Sequence, residues 1–312
     1  TGIILRTEKS VLFFIPWGER WIVGTTDTDF TGDRAEPRVC AEDVDYILNA
    51  ANRVLVRPLT RADVIAAYAG LRPLVEPVGD GSAKGAAKGA AKGGKPTTKV
   101  SREHVVDVPV PGLASIAGGK FTTYRLMARD VVDAAVAGFD RSVPASVTEQ
   151  LPLLGADGLA AVQAGAGRLA EDYRVPRALV EHLLSRYGTL AGEVLDLIRA
   201  DPALARPLCE GFPYLRAEVV YAVTHEDALH VEDVLMRRIR LSIESADSGT
   251  EVAAEVALIM GRQLGWSRRR RAAETRRYLE LIAAEQTTPA VGAFVMGADA
   301  ADAALAGVAA AG

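Results

Sequence analysis

Cysteine and histidine are scarce in this chain: Cys40 and Cys209 are its two cysteines, and four histidines occur among 312 residues. Two isolated thiols give no disulfide framework, which points to a reducing compartment. Long apolar runs are missing too. The longest, VLFFIPW from Val11, is strand-sized, against the roughly 18 residues that a membrane-spanning helix needs. There is no basic excess: a net charge of −4 excludes a global field for nucleic acid. The first residues carry no signal-peptide pattern, so the cytoplasm is the expected compartment. What is present is ordinary, with 49% hydrophobic and 24% charged residues in a length sufficient for two domains with cores. The chain opens on Thr1, and TGIILRTEKSVLFFIP reads as backbone already inside a sheet. An N-terminal portion is therefore expected upstream.

Along the chain, GIILRT, SVLFFIPW and RWIVGTT are β-branched or aromatic runs separated by polar or glycine breaks, and PWGER reads as a hairpin turn. From Ala41, apolar residues at Val44, Ile47, Leu48, Ala51 and Leu55 follow a helical period. Thr60 is a candidate cap for a helix that gives way to a strand near Tyr68 to Val75. The stretch 79–96, GDGSAKGAAKGAAKGGKP, has no large apolar residue and cannot build a core, so a disordered surface insert is expected. Its four lysines could alternatively form a weak tether to anionic lipid. Two strand candidates around a proline turn follow, then a helix from about Thr122 to Ala137. Beyond Pro144 successive helix candidates with caps or breakers between them fill residues 147–286. The tail 287–312 is Ala/Gly-rich and expected to be disordered. The division is thus 1–143, 147–286 and the tail.

Several motif matches carry little. GAGRLA at Gly165 fits a dinucleotide fingerprint, but helix formers precede it where that chemistry needs a β-strand. HEDALH places His225 and His230 five apart, about 140° around a helix, so they do not share the face a metal site needs. The run Arg268 to Arg271 reads as a charged helix start, with no aromatics interleaved for nucleic acid.

The stretch LASIAGGKFTTYR is more informative. A short apolar strand from Leu113 to Ala117, expected to be buried, ends at Gly118 and Gly119, which permit positive φ and close approach of a ligand. Residues at the following helix N-terminus offer free N–H groups and a favourable dipole, and Thr122 or Thr123 can cap it. Such a turn suits a phosphate, or the N1–C2=O edge of a flavin, whose reduced form carries negative charge there. It equally suits a simple strand-to-helix connection. Arg72 in AGLRPLV and Arg102 in KVSREHVV could grip a phosphate or a carboxylate bidentately, with Lys120 as an added point charge. Surface ion pairs with Glu76 and Glu103 are the competing account.

FFIPWGERWIVGTTDTD, YAGLRPL, KVSREHVVD, GGKFTTYRLMA and YAVTHEDALHVEDVLMRRIRLSIE are collinear, and together they resemble the FAD-dependent, aerobic-type glycerol-3-phosphate dehydrogenases over nearly all of residues 1–285. The resemblance implies an α+β fold: the C-terminal part of a two-domain flavin oxidoreductase, with a mixed sheet followed by an all-α domain. It implies oxidation of glycerol 3-phosphate to dihydroxyacetone phosphate, with FAD as cofactor and electrons passed to a quinone, usually at the membrane face. A homodimer is compatible with it. Carried over by motif, Arg72 and Arg102 would grip the substrate phosphate, and Lys120 would lie close to substrate and flavin. Gly118, Gly119, Phe121, Thr122 and Thr123 would lie against the flavin ring, and Thr25, Thr26 and Asp27 receive no role. The family's Gly-x-Gly-x-x-Gly unit and its proton-accepting histidine are expected upstream of Thr1, so the isolated chain is expected to be inactive. Two other readings stand beside this one: a related flavin amine or hydroxy-acid oxidase, and an inactive fragment acting as an interaction module.

Overall fold

A computed structural model describes residues 2–7, 11–34, 37, 39–75, 102–287 and 293–297. The Lys/Gly-rich insert lies outside them, as does most of the Ala/Gly-rich tail. In chain order the elements begin with β1 (Ile3–Arg6), β2 (Val11–Trp17), β3 (Arg20–Gly24), α1 (Ala41–Asn52) and β4 (Val64–Tyr68). Then come β5 (His104–Val110), β6 (Leu113–Gly118) and α2 (Tyr124–Val136). The helical half comprises α3 (Leu159–Ala164), α4 (Ala166–Tyr173), α5 (Arg177–Tyr187), α6 (Ala191–Ala200), α7 (Arg216–His225), α8 (Leu241–Glu244), α9 (Ala253–Gln263) and α10 (Arg268–Thr287). The last strand is β7 (Ala293–Gly297). None of the described helices is long and apolar enough to cross a membrane.

The chain divides into two units. The first, Thr1–Thr26, Arg38–Ala69 and Pro152–Gly312, groups the larger sheet with the helices. The second, Asp27–Pro37 and Gly70–Leu151, holds β5, β6 and α2. The units thus cut the chain differently from the sequence division, which put the larger sheet with the second unit's residues.

In the first unit the sheet runs β1-β2-β3-β7-β4. Alternation builds it: Leu12 and Phe14 of β2 are buried, while Val11, Phe13 and Ile15 between them are exposed. The buried face joins a core with Val44, Ile47, Leu48 and Ala51 of α1, the apolar stripe the spacing predicts. The β2–β3 hairpin turns at Gly18, which takes φ +59°. All strand pairings among the described residues are antiparallel, so the α+β class holds but the sheet is not mixed. For β1–β2, β2–β3 and β5–β6 antiparallel pairing follows from short hairpin connections, which need no crossover.

Three expectations are corrected here. After Thr60 there is one 3-10 turn, Arg61–Asp63, and the strand spans Val64–Tyr68, ending where it was expected to begin. Thr60 and Asp63 form a capping box over this turn, and β-branched Val64 and Ile65 then favour an extended chain. Within the expected disordered tail, Ala293–Gly297 forms β7, which pairs with both β3 and β4. Its apolar residues are strand formers, and two open sheet edges supply the backbone partners. The stretch from Tyr214 to Glu244, whose pattern reads as a single helix candidate, is instead broken into three pieces: α7, a π-helical turn over Asp233–Arg238, and α8. Asp227 and Arg240 take φ +54° and +59° at the joints, and the Asp233 carboxylate fixes the chain leading into the middle piece by accepting from Leu229 N and His230 N.

The helices close around a buried carboxylate. Glu218 accepts from Tyr187 Oη at 3.0 Å and from the backbone N of Leu215 at 2.7 Å, and pairs with Arg186 Nε and His182 Nε2 at 3.0 Å each. The sheet is tied to the helices through Glu244, which accepts from Trp17 Nε1 at 2.8 Å and Tyr214 Oη at 2.6 Å.

In the second unit β5 and β6 form a two-stranded hairpin carrying α2. A sheet of two strands buries little, and here no residue of α2 is buried while Val105, Val108, Val110 and Leu113 are exposed. The strand Leu113–Gly118 is therefore not the buried strand its composition suggests.

Candidate functional site

The second unit contains every residue singled out for chemistry. Its backbone is set by the register His104↔Gly118, the last pair at the open end of the β5–β6 hairpin. The chain enters β5 from Arg102 and leaves β6 toward Lys120, so both residues flank that same end.

Gly118 and Gly119 take φ +78° and +83°, as a Gly-Gly turn between strand and helix allows. Their reason is tertiary as well as conformational. A Cβ on Gly118 would lie 2.7 Å from the Glu103 carbonyl oxygen, and one on Gly119 would lie 2.5 Å from Met127 Sδ. The chain then makes a 3-10 turn, Phe121–Thr123, before α2. The threonine cap is corrected: Thr123 takes the N-cap position, but its Oγ1 donates to the Lys120 carbonyl at 3.0 Å and accepts nothing from α2. The helix start is left without a side-chain cap, and Phe121 beside it is 90% exposed.

Arg72 and Arg102 do converge. Arg72 Nε donates to Asp27 Oδ1 at 3.1 Å, and Arg102 NH2 donates to Asp27 Oδ2 at 2.9 Å. One carboxylate, on the loop after β3, therefore holds both guanidiniums. Asp27 had no role in the sequence reading, because its partners lie 45 and 75 positions away. The available signal was an acid in GTTDTD at a strand end. Glu76 lies outside the described residues. Lys120 is exposed beside the turn.

His104 is engaged elsewhere: Nε2 lies 2.9 Å from Asp130 Oδ2 on α2, and Arg129 Nε donates to Asp130 Oδ1 at 3.0 Å. The hydrogen bonds from His104 and then Arg129 hold the Asp130 carboxyl below the ordinary range.

The motif matches resolve structurally. Gly165 sits between α3 and α4, so GAGRLA is a helix–helix joint. His225 ends α7, whereas His230 lies 3.0 Å from Glu274 Oε2. His230, Glu232 and Glu274 could together present metal-ligand atoms. However, Arg270 pairs with Glu274 and Arg277 pairs with Glu232, so the carboxylate charge is already balanced by guanidiniums. We read the group as an ion-pair network.

Comparison with known proteins places the chain as a whole. The family model described as FAD dependent oxidoreductase matches residues 2–125, and the one described as the C-terminal domain of alpha-glycerophosphate oxidase matches residues 146–271. The glycerol-3-phosphate dehydrogenase 2 of Mycobacterium tuberculosis (strain ATCC 25618 / H37Rv) is 45% identical over 284 residues, spanning 91% of this chain and 46% of that protein. The mitochondrial glycerol-3-phosphate dehydrogenase of Mus musculus is 36% identical over 274 residues, spanning 86% of this chain and 35% of that protein. The crystal structure of the Bacillus halodurans glycerol-3-phosphate dehydrogenase complexed with FAD superposes with a TM-score of 0.69 at 25% identity, over 92% of this chain and 53% of that one. The chain spans less than half the length of these two relatives. The two matched models lie in tandem, as the sheet-and-turn half and the helical half of the sequence do, and the relatives named here agree with each other. Over most of its length the chain is thus homologous to FAD dependent oxidoreductases and to glycerol-3-phosphate dehydrogenases.

Proposed function

We propose that this chain supplies the substrate-phosphate side and one flavin-facing edge of an enzyme that oxidises glycerol 3-phosphate to dihydroxyacetone phosphate. The observation that carries the reading is the convergence of Arg72 and Arg102 on Asp27 beside the hairpin end that leads to Gly118 and Lys120. The residues present fit a flavin edge. The uncapped start of α2 offers N–H groups and a favourable dipole to an anionic ring edge, and exposed Phe121 offers a flat apolar surface. Gly118, Gly119, Phe121, Thr122 and Thr123 would hold that edge. When bound, FAD supplies the hydride acceptor.

The chain's own residues would then bind and orient. The two guanidiniums grip the phosphate, fixing the carbon that bears the secondary hydroxyl relative to the turn. Lys120 would add positive charge beside the flavin edge, which would carry negative charge when reduced. His104, engaged with Asp130, is assigned no proton transfer. A quinone acceptor at the inner face of the cell membrane is the further expectation, supported by the resemblance, and quinone reduction measured against oxygen uptake checks it.

In the holoenzyme, Arg72→Ala is expected to raise KM for glycerol 3-phosphate at least about tenfold. Lys120→Ala is expected to lower kcat by about tenfold or more, as loss of a group that stabilises developing charge does. Wild-type kinetics in both variants would remove these assignments. Turnover of glycine, sarcosine or lactate in preference to glycerol 3-phosphate would instead favour an amine or hydroxy-acid oxidase.

A further inference from the structure

We infer that Asp27 is a positioning residue for the phosphate site: it holds Arg72 and Arg102 side by side, in the arrangement that receives the substrate's anionic group. The inference rests on the phosphate reading above and adds a residue to it.

Three stretches far apart in sequence meet at this carboxylate. Asp27 lies on the loop after β3, Arg72 follows β4, and Arg102 precedes β5. The contact is economical. Each guanidinium gives Asp27 one nitrogen, Nε of Arg72 and NH2 of Arg102, out of the five N–H donors an arginine carries. Four N–H groups on each side chain are not used by Asp27, which is what a tetrahedral anion with several acceptor oxygens needs.

Charge supports the same assignment. Two guanidiniums drawn to one site repel each other, and a carboxylate between them offsets that repulsion. One negative charge against two positive ones leaves the cluster net positive, so it still attracts an anion. Stability is a poor explanation for the arrangement. The arginine side chains are 41% and 39% exposed, and ion pairs so open to water contribute little to folding. Asp27 itself is the most buried of the three, with its side chain 20% exposed. A half-buried carboxylate with two longer, more exposed side chains laid against it is the geometry of an anchor rather than of an incidental surface pair. Because Asp27 acts through the arginines, its effect should be felt in substrate capture and should depend on their presence.

The test is steady-state kinetics of the holoenzyme with glycerol 3-phosphate as substrate. Asp27→Asn keeps the size of the side chain and removes the charge. We expect it to raise KM about tenfold while kcat stays within about twofold, the split expected for loss of uniform binding. Asp27→Glu, which keeps the charge but displaces it by one methylene, should give a KM between those of the wild type and Asp27→Asn. In an Arg72→Ala, Arg102→Ala background, Asp27→Asn should have no further effect, because coupled residues are not additive. If Asp27→Asn fails to fold, the intermediate KM of Asp27→Glu carries the test, and a wild-type KM there overturns the inference. A wild-type KM in Asp27→Asn, or an equal effect in the presence and absence of the arginines, also overturns it. The phosphate reading has its own failure: wild-type KM in both Arg72→Ala and Arg102→Ala. An arginine effect without an Asp27 effect would leave that reading standing and remove only the role of Asp27.

Discussion

Single residues carry the site, and they were legible in the sequence to unequal degrees. Arg72 and Arg102 stood out by residue type, since a planar fork near glycine-rich backbone is a natural anion grip. Asp27 did not, because pairing across 45 and 75 positions leaves no local pattern. Gly118 and Gly119 were legible as turn residues and do take positive φ. The close packing of Gly118 against the Glu103 carbonyl was not legible, since it depends on the strand register. The threonines misled for a related reason: the Thr123 hydroxyl found a nearer carbonyl at Lys120 than the N–H groups it was expected to cap. Gly118→Ala is therefore expected to lose about 2 kcal/mol or more, combining left-handed backbone strain with a backbone clash. Denaturant unfolding checks this, and unchanged stability would mean that the turn can move away from Glu103.

Elements were read well where pattern alone decides them. β1, β2 and β3 follow alternation, and α1 follows a helical stripe closing on the same core. Errors arose where tertiary partners decide. β4 sits at the residues expected to be helical because a neighbouring strand accepts its backbone. β7 pairs on both sides within a stretch whose composition suggests disorder. The break at Asp227 depends on packing that no local propensity encodes. Helix packing also explains the clearest stability prediction. Glu218 is fully buried, yet it is met by Tyr187, Arg186, His182 and a backbone N–H. Glu218→Ala leaves the Arg186 charge without its partner and is expected to cost about 3–5 kcal/mol. Thermal unfolding of the variant against wild type measures it, and a loss below about 1 kcal/mol would contradict the network's importance.

At the scale of the whole molecule, the chain falls into two compact units. One packs a sheet against helices around Glu218 and Glu244, and the other is a thin hairpin and helix bearing the arginines, the Gly-Gly turn and Lys120. The first unit holds the buried core clusters, and the residues proposed for the phosphate and flavin contacts lie in the second. That division was only partly legible. Composition identified the helical half, but the grouping of the sheet with the helices arises from packing such as the Trp17–Glu244 hydrogen bond. The central claim is that the two arginines make the enzyme selective for a phosphorylated polyol. It is tested most directly by anaerobic titration of the oxidised holoenzyme, following the flavin absorbance. The account predicts that glycerol 3-phosphate bleaches the flavin while glycerol at the same concentrations leaves it oxidised. Equal bleaching by glycerol, or none by glycerol 3-phosphate, would contradict it.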